Sequence, residues 1–147
     1  MDMAVSSSAP VLEEAWIALQ FQLDGLPADF EGDIPEAVLN AREDACGVIE
    51  AEYRGLPSMY RGADDVEVPA YDICAREDDF QEFEGRLVAT VSFVSPYDFT
   101  DEAVSELKQL CTEKFMDAAA AHGIGCVLAC VEGWRRFSYV ERVVFEG

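Results

Sequence analysis

His122, Cys126 and Cys130 are the residues whose types and spacing come nearest to doing chemistry in this chain. The pattern H-x3-C-x3-C could begin a zinc site, which needs four ligands held in a compact loop. The segment between the two cysteines, however, is apolar and reads as a strand. On that reading both thiols share one strand face about 13 Å apart, at ~3.3 Å per residue, which is too far for one metal. A helix-terminal histidine beside two small buried apolar residues is the expectation. Cys111 and His122 form a second nominal pair, thiol and base. Eleven helical residues separate them by ~16 Å, so they cannot touch. His122 is the only histidine, so any reaction that needs a histidine base must use it. The chain has no G-x-S-x-G, H-E-x-x-H, phosphate loop or G-x-G-x-x-G. Gly123-Ile124-Gly125 is too short to count as one. Thirty acids guarantee neighbouring carboxylates by chance, so such pairs do not mark a glycosidase. No catalytic residue, metal or cofactor is expected, and the reading leans away from an enzyme.

The elements that would hold these residues follow from hydrophobic period. Ile17, Leu19, Phe21 and Leu23 alternate with Ala18, Gln20, Gln22 and Asp24 in a strand with one dry face. Gly25 to Gly32 reads as a loop. A helix near 33–54 follows, with Asp33 and Glu36 as a capping box around Pro35. Its helical stripe is Ile34, Val38, Ala41, Ala45, Val48, Ile49 and Glu52/Tyr53, and Glu36, Glu43 and Glu50 lie opposite. Val66 to Arg76 reads as a second strand, with Pro69 at an edge or bulge. Glu77-Asp78-Asp79 is a turn, and residues 86–93 a third strand. A second helix near 100–122 starts at Thr100-Asp101-Glu102 and carries Val104, Leu107, Cys111, Phe115, Ala118, Ala119 and His122 on its stripe. Gly123 is its C′ glycine. Cys126 to Val131 is apolar throughout and reads as a strand covered on both faces or a central one. Gly133 opens a turn, and Tyr139 to Phe145 is a last strand.

The order is β-α-β-β-α-β followed by one more β. That order is the split βαβ pattern of a ferredoxin-like α+β sandwich with an extra C-terminal strand. Both helices then lie on one face of a mostly antiparallel sheet. A fold so common does not choose a function. Residues 1–10 read as a flexible tail and 11–147 as a single domain.

Hydrophobic residues make up 50% of the 147 and aromatics 11%, enough for a real core despite a formal net charge of -20. The start of the chain has no basic, apolar leader, and no run approaches the ~18 apolar residues of a membrane span. The five cysteines show no disulfide spacing. A cytoplasmic protein with reduced thiols is expected.

The charge limits partners. It repels nucleic acid and anionic membrane and favours basic surfaces. Residues 64–84 hold Asp64, Asp65, Glu67, Asp72, Glu77, Asp78, Asp79, Glu82 and Glu84 against Arg76 alone, a local charge of -8. In residues 123–147, Glu132, Glu141 and Glu146 cancel Arg135, Arg136 and Arg142, so the whole -20 lies in residues 1–122. A solvated shell is one reading of this excess. The leading functional reading is a non-enzymatic interaction protein that binds a basic protein, such as a nucleic-acid-binding one. In its sharpest form it is an inhibitor of immunity or anti-defence type whose carboxylates stand in for phosphates. The contacts would be the acids of 64–84 with Glu36, Glu43 and Glu50. Trp134, Arg135 and Arg136 form a second candidate patch, because Trp and Arg often anchor interfaces. On the bland alternative those aromatics pack and those arginines pair with nearby acids. One alternative function is a ligand-binding or enzymatic domain with its site on the open sheet face, lined by Gln20, Gln22, Thr90 and Ser92, or at a homodimer interface. Another is a structural or assembly subunit. The charge has one consequence whatever the function. Self-repulsion must cost stability, most where the screening length is long, ~30 Å at 0.01 M salt against ~3 Å at 1 M. Thermal melts should therefore show Tm rising as NaCl is raised through this range. A Tm that stays level or falls contradicts a folded shell carrying this charge.

Overall fold

The computed structural model describes residues 10–24, 34–56, 59–61, 67–69, 74–77, 81–83 and 86–144, with side chains described for 10–24, 34–56 and 87–143. The elements are β1 (Glu14–Asp24), α1 (Glu36–Glu52), β2 (Met59–Arg61), β3 (Glu67–Pro69), β4 (Cys74–Glu77), β5 (Gln81–Phe83), β6 (Arg86–Ser95), α2 (Asp101–Ala121), β7 (Gly125–Arg136) and β8 (Val140–Val144).

β1 owes its central place to its pattern. Ile17, Leu19, Phe21 and Leu23 are fully buried, and burying each such side chain contributes about 1.5–3 kcal/mol. β1 pairs antiparallel with β6 on one side and β7 on the other, and the main sheet runs β4-β6-β1-β7-β8, with β5 also on β6. Every ladder among the described residues is antiparallel. β1 and β4 are thus parallel with β6 between them, as a split βαβ unit requires. The two helices pack on each other and on one face of the sheet, so the ferredoxin-like α+β architecture with an added C-terminal strand is the fold.

α2 begins at Thr100, whose hydroxyl accepts from the Ala103 amide at 3.1 Å. It ends at Gly123, whose φ of 73° is the left-handed conformation that glycine adopts without strain. Its face of Val104, Leu107, Cys111, Phe115, Ala118 and Ala119 is buried as expected, and the Phe115 ring stacks on Phe21 at 4.2 Å. α1 buries Val38, Ala41, Ala45, Cys46 and Ile49.

Several expectations are corrected. α1 has no side-chain cap: Pro35 is the N-cap, and its carbonyl accepts from the Val38 and Leu39 amides. Asp33, the expected cap, lies outside the described residues. Val48 is 39% exposed and Cys46 takes its place on the buried face, since the stripe turns toward α2. The span read as one second strand is divided. β3 pairs with β2 in a separate two-stranded sheet, and β4 pairs with β6. Pro69 ends β3, where a missing amide costs no further ladder bond. The turn at Glu77-Asp78-Asp79 falls largely outside the described residues. Gly133 does not open a turn. It lies within β7, paired to Ile17 on one side and Val143 on the other, and two ladders outweigh the roughly 0.5–1 kcal/mol that glycine costs a strand.

Phe115→Ala should cost about 3–5 kcal/mol in urea unfolding, because it empties the contact between α2 and β1. Val48→Ala should cost under about 1 kcal/mol. Equal losses at the two positions would contradict this assignment of the core.

Candidate interaction surfaces

The outer faces of α1 and α2 form an acidic layer. The two helices carry ten acids against Arg42, Lys108 and Lys114. Glu36, Glu43 and Glu50 are all exposed on α1, together with Asp44 and Glu52. Their spacing of seven residues places the first three along one stripe, about 10.5 Å apart. The structure thus brings together the α1 members of the expected acidic contact set. The hairpin members, Asp64, Asp65, Glu67, Glu77, Asp78, Asp79, Glu82 and Glu84, have side chains outside the described residues. On α2, Asp101, Glu102, Ser105 and Glu106 line a shallow depression of about 350 Å³ beside the first turn. Lys114 sits between carboxylates, 3.3 Å from Glu113 and 3.8 Å from Glu52.

The corner where β1 meets β7 differs. Trp16 and Trp134 face each other across β1 and β7 and stack at 5.6 Å with planes 23° apart. They lie on the sheet face away from the helices, since Ile17 between Trp16 and Ala18 points into the core. Arg136 lies 6.0 Å from the Trp16 ring centre and binds Glu14 at 2.7 Å. Arg135 donates to Asp98 at 2.8 Å and to Glu141 at 3.4 Å. Arg142 donates to Glu132 at 3.1 Å. Each arginine of this corner therefore meets a carboxylate, and the residues read as a candidate patch pack and pair locally. Trp134, Arg135 and Arg136 belong to β7, not to a turn. These pairs are largely exposed, so each contributes at most about 1 kcal/mol. They make the corner close to neutral.

Gln20, Gln22, Thr90 and Ser92 do share the face away from the helices, with Gln20 beside Thr90 and Ala18 beside Ser92. Thr90 and Ser92 are each only 8% exposed, so the strip is not open to solvent along β6.

His122 lies at the C-terminal end of α2, where its Nε2 is 2.7 Å from Asp44 Oδ2. A carboxylate that orients a histidine is half of a general-base device. Among the described residues, no hydroxyl or thiol hydrogen bonds to the ring. The pair instead ties the end of α2 to α1. Cys126 and Cys130 do not share a face. A β-bulge between Leu128 and Cys130 puts Cys126 opposite Leu23 toward the helices and Cys130 opposite Gln20 on the other face. The sequence has no glycine or proline at this bulge to announce it. Both thiols are half-buried rather than buried. Among the described residues, no three of His, Cys, Asp and Glu come together as a metal would need. No described helix is long and apolar enough to cross a membrane.

Burial raises the thiols of Cys111, Cys126 and Cys130. Cys111 is pushed far up, by desolvation first and by Cys46 second. Cys126 is pushed up to about 11 by desolvation, then by Asp24. Cys130 is raised by desolvation and then by Glu132. Thiols held neutral are poor nucleophiles at physiological pH.

The sequence matches no protein-family model and no curated protein. Among solved structures, the chain is similar to an amidase of the hydantoinase/carbamoylase family from Burkholderia multivorans. The TM-score is 0.48 and the identity 12%, over 92% of this chain and 30% of that one. It is similar to a C-terminal segment of the alpha subunit of aIF2 from Pyrococcus abyssi, with a TM-score of 0.45 and 10% identity over 83% of this chain and 51% of that one. It is also similar to an aminobenzoyl-glutamate utilization protein from Klebsiella pneumoniae, with a TM-score of 0.40 and 10% identity over 92% of this chain and 30% of that one. This chain thus spans about a third to a half of those proteins. At these identities and scores the likeness carries nothing about function.

The raised thiols make stability depend on pH in one direction. A folded thiol with a pKa above its ordinary 9.0 favours the neutral form. Its contribution is complete below pH 9 and is lost as pH rises through about 11. Urea unfolding should show stability falling across this window, with a shallower fall in Cys126→Ala. Identical slopes in parent and variant would contradict the burial of Cys126.

Proposed function

We propose that this chain is a non-enzymatic interaction protein that binds a basic protein surface through its acidic face. The observation that supports the reading is the separation of charge. The charge-balanced segment, residues 123–147, builds one edge of the sheet as β7 and β8, whereas the helical layer presents exposed acids to solvent. A field of this kind steers a basic partner and speeds encounter, and it weakens as salt is added.

The sharper form is an inhibitor that occupies the nucleic-acid site of its target, with carboxylates in the place of phosphates. Charge density bears on it. Duplex DNA carries one charge per ~1.7 Å of axis, while the α1 stripe alone carries one per about 10 Å. Mimicry therefore needs the dense acidic segment 64–84 alongside α1. Action in the cytoplasm fits Cys46, Cys111, Cys126 and Cys130 standing outside any disulfide.

The test is affinity capture from source-cell lysate with the parent and two charge-reversed variants. One carries Glu36→Lys, Glu43→Lys and Glu50→Lys, and the other Asp78→Lys, Asp79→Lys, Glu82→Lys and Glu84→Lys. At ~0.15 M salt, a specific partner should lose affinity by tenfold or more for at least one variant, about 1.4 kcal/mol. Its salt dependence should flatten, and circular dichroism should remain native. Duplex DNA should displace the partner if the mimic form holds. A partner retained equally by parent and both variants would contradict the proposal.

A further inference from the structure

We draw no further inference here: the strongest candidate, the shallow depression lined by Asp101, Glu102, Ser105 and Glu106 beside the first turn of α2, carries nothing, because it is an acidic cluster at a helix N-terminus, Glu106 is only half-buried, and nothing else among the described residues points to a ligand there.

Discussion

Coulomb repulsion among thirty acids opposed by ten bases is the constraint to which the rest of this structure answers. Charge of this size is tolerable only on a shell around a core that excludes it. Among the described residues the core is accordingly uncharged: its buried polar members are Thr90, Ser92 and Ser95, and the rest is aliphatic, aromatic or thiol. The repulsion also leaves the helical layer and the β7–β8 edge with different surroundings. Where bases are scarce, as on α1 and α2, nine of the ten acids stay exposed, Glu106 being the exception. Where bases occur, at β7 and β8, each described arginine is matched to a carboxylate.

β1 lies between the two faces of the sheet. Its odd-numbered residues from Ile17 to Leu23 anchor the core under both helices, and the even-numbered ones lie on the opposite face with the tryptophan pair. Because β1 pairs with β6 and β7 at once, it fixes where the balanced C-terminal segment must sit. The charge asymmetry along the chain becomes an asymmetry in space for that reason. Had the last strands paired at the far side of β6, the arginines would have lain where β4 and β5 pair.

Much of this was legible in the residues. Alternation in β1 and β6, helical period in α1 and α2, the Thr100 cap and the Gly123 terminus are local signals written in a few side chains each. What escaped was decided by neighbours. The apolar run Cys126–Val131 reads as a covered central strand, yet among the described residues its ladder is with β1, since β8 pairs with β7 only from Glu132 to Arg136. The bulge that separates Cys126 from Cys130 follows from register against β1, which no local residue encodes. Gly133 looks like a turn in isolation and is a paired strand residue in context. Of the candidate contacts, Glu36, Glu43 and Glu50 were readable from seven-residue spacing. The pairing of Arg135 with Asp98 joins segments 37 residues apart and was not.

The central claim is that negative potential covers the helical layer and fades at the β7–β8 edge. Paramagnetic relaxation of amide protons by a small cationic nitroxide, compared with its anionic analogue, reports the near-surface potential residue by residue. The account predicts strong preference for the cation at exposed amides of α1 and α2, with near-equal relaxation by both probes from Gly125 to Val144. A uniform preference for the cation along the whole chain would contradict it.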